Sequence, residues 1–381
     1  MVLIMSDPER MRVGEGRISG ALSVFLGVVS LCGVLCFHFP EYFTTPEFRA
    51  AYSVDILRDV LLGCLVLSFG FAFVSFILSK KTKFGLLGVL FSAAALILGG
   101  HTVEVKEFNQ SVLSVSLDWL LIDILILSSI FIPLELFLPY HRNQTKFHSE
   151  WKTDLVYFAV SHLFVQFTAV AIKAPAEIVF AGTSLAVIRE FVISLPFFGQ
   201  LFLAMFFADL FQYAVHYSFH KSPYLWRFHA VHHSIKSVDW LAGSRLHITD
   251  ILITRSLSYL PIYMLGVSMP VFYVYVVIVA LQAVAAHANI RVPFGFFKYL
   301  FVTPQYHHWH HCDDPKHYDK NFAIHFPFID KIFGTYYLPG NEWPKTTGLG
   351  DVEYPKGYLG QLIYPFFNDP SSNSLDDPSG R

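Results

Sequence analysis

Three short stretches concentrate imidazole. HYSFH places His216 and His220 four residues apart, HAVHH places His229, His232 and His233 at i, i+3 and i+4, and HHWHH repeats that pattern with His307, His310 and His311. Residues three and four apart share one face of a helix, so each stretch aims its ring nitrogens in one direction. Without a cation, such clusters leave donors and acceptors competing and protonated rings repelling one another, so the pattern points to metal binding. Eight box histidines exceed the four ligands of a structural zinc, or the three plus water of a catalytic one, and two ions fit the number better. Imidazole suits iron, zinc and copper alike, and HExxH is absent, so the residues leave the metal open. Asp209 lies two turns before His216 on nearly the same face. A carboxylate there could accept the proton of a ligating imidazole and fix its tautomer, or be a capped polar group within the span.

Of 18 histidines, 13 lie between His216 and His325. His38, His101, His141, His148 and His162 stand alone and read as ordinary satisfied polar side chains. His308, His317 and His325 fall outside the box spacing and read as supporting or structural groups.

The elements that must position these boxes are membrane helices. The chain has 381 residues, 54% of them hydrophobic and only 15% charged, with a mean hydropathy of +0.47. A soluble domain carries closer to a quarter charged residues, so this is an integral membrane protein. Net charge is −2, without the basic stripe of a nucleic-acid binder. The four cysteines, Cys32, Cys36, Cys64 and Cys312, form no CxxC pair, which argues against a disulfide framework or a thiolate zinc site.

The expected fold class is all-α and polytopic, with about eight transmembrane helices and a cytoplasmic histidine-rich di-metal site. The spans are read as 18–39, 56–79, 84–100, 117–139, 153–172, 191–215, 251–267 and 269–287. The first follows Arg10, Arg12 and Arg17 like a signal peptide, but its long apolar run reads as a retained span. With the N-terminus inside, 13 Lys and Arg before the seventh span lie on the cytoplasmic side and five on or near the other, as the positive-inside rule requires. Both termini and all three boxes are then cytoplasmic, whether or not the last two spans cross fully. Asp123 and Glu135 in the fourth span read as structural carboxylates. Residues 1–150 form an N-terminal membrane region with four spans, 151–340 the catalytic domain and 341–381 a polar tail.

The boxes, with the run DKNFAIHFPFIDKIFGTYYLP after the last of them, resemble the fatty acid hydroxylase and sterol desaturase superfamily of membrane-bound di-iron enzymes. The resemblance runs from about Asp209 to Pro339, and the downstream run is most similar to the alkylglycerol monooxygenase branch. It implies two iron ions, with zinc a possible occupant after purification, and dioxygen as co-substrate. It also implies His287, in HANIR, as a ninth ligand, and His247, in SRLHITD, as a ligand or a group behind one. Asn289, beside His287, could hold a metal-bound water.

Removal of hydrogen from an unactivated C–H bond of a fatty acyl, sterol or ether lipid follows, with hydroxylation favoured over desaturation. Tyr213, Tyr217, Trp226, Phe228, Trp240 and Trp309 could wall a lipid channel or form the ordinary interfacial belt. No flavin or nicotinamide fingerprint is present, so electrons must come from an external donor of cytochrome or ferredoxin type. Lys221, Arg227 and Lys236 could dock it. A metal transporter, the alternative of another class, would place its ligands at the bilayer midplane on broken helices rather than at span ends.

Overall fold

The computed structural model describes residues 14–45, 49, 52–78, 83–105, 114–145, 147–163, 185–350 and 352–367. Among them the chain is helical, with no strand and one isolated bridge between Cys312 and Thr347. The helices are α1 (Arg17–His38), α2 (Pro40–Phe43), α3 (Val54–Leu78), α4 (Lys83–Ile97), α5 (Leu117–Phe137), α6 (Trp151–Leu163) and α7 (Ala186–Ser194). They continue with α8 (Phe197–Lys221), α9 (Pro223–His233), α10 (Ile248–Leu265), α11 (Met269–His287), α12 (Pro304–His310), α13 (Pro327–Phe333) and α14 (Tyr358–Phe367). The chain divides into two compact units, residues 1–124 and 125–381.

Six described helices are long and apolar enough to cross a membrane: α1, α3, α4 with the turn after it, α5, α8 and α11. The expected span 153–172 is described only through α6, and its remainder lies outside the described residues. The expected span 191–215 is cut at Leu195 and Pro196, because a proline fits the start of a helix and not its interior. The seventh, α10, has the length, but Asp250 and Arg255 lie within it and it is not among the six. Residues 358–367, expected within a polar tail, form α14, which exposes Leu359, Ile363, Phe366 and Phe367 and buries Gln361 and Pro365.

In the first unit α1 and α4 meet through small residues. Gly20, Ser23 and Gly27 face Gly85, Gly88 and Ser92, and a Cβ added to Gly88 would overlap Ser23. Ser23 and Ser68 each donate their hydroxyl to the other's carbonyl at 2.8 Å, and Ser92 donates to the Ser68 hydroxyl. Lipid tails are as apolar as leucine, so helices in a bilayer associate through such close approach and hydrogen bonding. Gly88→Ala is therefore expected to lower the thermal midpoint in detergent, by about 1–3 kcal/mol in stability. Gly63→Ala, with nothing within 4 Å of its added Cβ, is the control expected to show no such loss.

The second unit has its core between α8, α10, α11 and the segment 322–329, including Leu201, Ala204, Ala208, Tyr275, Phe322 and Ile329. Two buried carboxylates organise that segment. Asp330 accepts the N–H of Phe322 and Ala323, and Asp209 accepts those of Ile324, His325 and Phe326. Five consecutive backbone donors, which would be costly to bury unpaired, are thereby satisfied. Glu135 is likewise structural, accepting the N–H of Trp240 and Asn289.

Candidate metal centre

Each box sits where its local sequence stops or starts a helix. His216 and His220 occupy the last two turns of α8. After Ser222, Pro223 opens α9, whose last turns carry His229, His232 and His233. His287 is the final residue of α11. Thr303 caps α12 with its side chain and Pro304 opens it, so that His307, His310 and the following His311 are held on one short rigid helix.

All nine of these buried histidines come together, in two groups. His216, His220, His229, His233 and His310 converge in one, and His232, His287, His307 and His311 in the other, with the ligand nitrogens of each group within 4.8 Å of one another. The i, i+3, i+4 spacing divides the second and third boxes between them: His229 and His233 face the first group and His232 the second, while His310 faces the first and His307 and His311 the second. The groups are neighbours, with the rings of His233 and His311 stacked at 4.7 Å.

The outer nitrogens fix the tautomers. His216 Nδ1 donates to the carbonyl of Phe322 (2.9 Å), His310 Nδ1 to that of Lys320 (2.8 Å) and His229 Nδ1 to the Asp250 carboxylate (2.7 Å). In the second group His232 Nδ1 donates to the carbonyl of Arg245 (3.1 Å) and His287 Nδ1 to that of Ala283 (2.7 Å). A neutral imidazole has one N–H, so in these rings Nε2 carries a lone pair. Yet His216 Nε2 stands 3.0 Å from His229 Nε2, and His287 Nε2 3.2 Å from His232 Nε2. Neither pair has a proton to share, and lone pairs so placed repel unless a cation lies between them. Nitrogens bound to one ion at ~2.1 Å and at right angles stand about 3.0 Å apart, so the donor sets fit a metal ion in each group. Burial foremost, then the neighbouring imidazoles, pushes His232, His233, His307, His310 and His311 well below the usual histidine range. They are held in the neutral, ligating form.

The segment after the third box serves the first group. Asp319 and Asn321 adopt left-handed backbone (φ 57° and 63°), and the intervening Lys320 and the following Phe322 offer their carbonyls to His310 and His216. Short polar residues tolerate that conformation best. Phe322 also packs against the rings of His220 and His310, and Trp226 against those of His220 and His233.

Three expected supporting residues are placed elsewhere. Asp209 holds no imidazole, because the 324–326 backbone occupies its carboxylate. His247 is in neither group: it caps α10 by accepting from Thr249 N at Nδ1 and donates from Nε2 to the Leu362 carbonyl, leaving no nitrogen for a metal. Asn289 directs its side-chain amide to the backbone of His141, accepting its N–H at 2.9 Å and donating to its carbonyl at 3.2 Å, and belongs to neither histidine group. His308 donates to the His287 carbonyl and His325 meets Gln282, as supporting or structural histidines. Of the aromatics, Phe228 packs on His247 and Phe366, and Trp309 donates to the Glu342 carbonyl.

Sequence reasoning passed over Asp250, two residues into α10, whose one visible signal is its place in HITD after His247. It also passed over a buried ionic cluster. Arg245 donates from Nε to Asp154 and from a terminal nitrogen to Glu150, and His148 Nε2 lies 3.2 Å from Asp154 and 3.5 Å from Asp239. Burial alone would lower the His148 pKa, but the carboxylates of Asp154 and Asp239 beside it overcome that and raise it to about 9. Unfolded histidine titrates near ~6.5, so this contribution to stability is whole below that pH and disappears as pH rises through about 9. The thermal midpoint is expected to fall over that window, and His148→Gln to flatten the fall.

Residues 201–335 match the fatty acid hydroxylase family. They form a fatty acid hydroxylase domain. The segment similar to the ornithine lipid hydroxylase OlsE of Rhizobium tropici is 31% identical over 172 residues, 45% of this chain and 51% of that protein. The very-long-chain aldehyde decarbonylase GL1-10 of rice is 26% identical over 44% of this chain and 56% of its own length. The alkylglycerol monooxygenase of Caenorhabditis elegans is 26% identical over 38% of this chain and 28% of its own. The chain thus spans about half the length of the first two relatives. No solved structure matches it. The matched residues take in most of α8 and all of α9 to α13, and with them all nine histidines, bearing out the resemblance read from the boxes.

Proposed function

We propose that the chain is a membrane-bound non-haem di-iron oxygenase that hydroxylates a C–H bond of a lipid with dioxygen. The observation that carries this reading is the pair of buried imidazole groups whose lone-pair nitrogens face one another, set within the hydroxylase domain. His216, His220, His229, His233 and His310 would hold one ion, and His232, His287, His307 and His311 the other. Iron at these positions supplies the redox chemistry that lets dioxygen take hydrogen from an unactivated C–H bond.

The protein's own part is to bind and to exclude. Phe322 and Trp226 cover the first group and keep bulk water from its rings. The first box and His287 lie at the ends of the apolar helices α8 and α11, so a lipid can extend into the site from within the bilayer. A turnover consumes a C–H bond, one dioxygen, two electrons and two protons, and yields an alcohol and water. The electrons come from an external donor of cytochrome or ferredoxin type. Lys236 is exposed and available to such a partner, whereas Lys221 is tied to Asp319 and Arg227 lies over the Tyr224 ring. We place both termini and the boxes on the cytoplasmic side, in a bacterial inner membrane or the endoplasmic reticulum, on the distribution of Lys and Arg.

Relatives named as hydroxylases or monooxygenases act on ornithine lipid and alkylglycerol, which favours hydroxylation. Purified protein given a reducing partner, lipid extract and labelled dioxygen is expected to place one labelled oxygen atom in the lipid product. A product that gains a double bond and no label would identify a desaturase working from the same site.

A further inference from the structure

The two groups differ in number and in what stands behind them. The first has five histidines, and two are backed by carboxylates: His229 Nδ1 lies 2.7 Å from Asp250 Oδ2, and His220 Nδ1 3.3 Å from Asp319 Oδ1. The second has four, with carbonyl oxygens behind His232 and His287, and among the described residues no carboxylate makes a direct contact with its rings, Asp239 acting on His287 only through space. A carboxylate behind a ligating imidazole makes it a stronger donor, and removing such a partner costs roughly 10–100-fold in metal affinity.

Asp250 is built for this role. It is 2% exposed, sits in the first turn of α10, and has its second oxygen held by the Thr254 hydroxyl at 2.9 Å. α10 is itself pinned at its start by His247, which joins it to α14 through the Leu362 carbonyl.

We infer that the two metal positions are inequivalent, and that Asp250, acting through His229, is the positioning residue that makes the five-histidine position the tighter. The four-histidine position, with fewer ligands and no carboxylate behind them, is the one that exchanges its ion first and has room for an exogenous ligand. This inference rests on the di-metal reading above.

The test uses the full chain in detergent, loaded with zinc as the probe and challenged with increasing chelator, with retained zinc measured after desalting. Wild type is expected to lose its zinc in two steps of about one ion each, separated by at least about 10-fold in chelator. His311→Ala should lack the first step. Asp250→Asn should move the second step toward the first by about 10–100-fold while leaving the first in place. Thr254→Val, which keeps the carboxylate but removes the group orienting it, should move the same step less far. General loosening of the fold would move both steps together, so the selective shift is what distinguishes positioning from a structural role. Loss of both ions from wild type in a single step would overturn the inference and leave the di-metal reading standing. An unmoved second step in both Asp250→Asn and Thr254→Val would do the same, as would one unmoved in Thr254→Val where Asp250→Asn does not fold. A folded wild-type protein that takes up no zinc, iron or cobalt would overturn the di-metal reading as well.

Discussion

His310→Ala and His311→Ala are each expected to remove about one metal ion per chain and to lower turnover by at least about 100-fold, since losing a ligand costs more than losing a partner behind one. The two residues are adjacent at the end of α12, yet they face different groups, so the ion lost should differ between the variants. His308→Gln is the informative comparison. It lies between box members and is fully buried, but its Nε2 is given to the His287 carbonyl and it belongs to neither group. Metal content by elemental analysis should be unchanged in His308→Gln and reduced in the other two. Two ions retained in both alanine variants would sink the assignment of the boxes as ligands.

The boxes were legible because a ligand pair at three or four residues is encoded in helical periodicity and needs no knowledge of the rest of the fold. The same spacing also decides which ring faces which group, since His232 and His233 diverge by one helical position. What escaped was everything that depends on contacts distant in sequence. Asp209 was placed on the correct helix face, but that face is met by the 324–326 backbone, 115 to 117 residues away, whose three N–H groups take the carboxylate. Asp250 reaches His229 across 21 residues and a helix boundary, and as a lone acid in the first turn it reads as a dipole complement. Asn289 and His247 look like site residues by their neighbours in sequence, and only the structure gives the partners of their side chains, the His141 backbone for the one and Thr249 and Leu362 for the other. The spans were legible where hydrophobicity was unbroken. Their bounds shift at Pro196, which restarts a helix, and α10, whose Arg255 and Asp250 interrupt an otherwise apolar run, is not among the six long apolar helices. α14 was hidden because Pro365 and the surrounding polar composition mask an apolar stripe of four residues.

Arg245 is where the largest loss of stability is expected. Its side chain is 1% exposed and paired with Asp154 and Glu150, while its own carbonyl receives the Nδ1 proton of His232. Asp239, which meets His148 on the far side of Asp154, accepts the N–H groups of Leu241 and Ala242 and so fixes the turn that ends at Arg245. That turn presses on the second group, for a Cβ added to Gly243 would come within 2.8 Å of His287 Nδ1. Arg245→Met keeps most of the side-chain volume but leaves the fully buried Asp154 with His148 as its remaining charged partner. Breaking a buried pair from one side costs about 3–5 kcal/mol, because the surviving charge has been taken out of water. Lysine does not substitute, since one ammonium cannot reproduce the planar fork that meets two carboxylates at once. Adding Asp154→Asn to Arg245→Met removes the stranded charge, and is expected to restore a large part of the stability although it deletes a second native contact. Thermal or denaturant unfolding in detergent reads both effects. The single variant should also lose metal from the four-histidine group before the five-histidine group, since it is the carbonyl behind His232 that the cluster anchors. A single variant within about 1 kcal/mol of wild type, or a double variant no more stable than the single, would show that the cluster is not what holds this turn against the site.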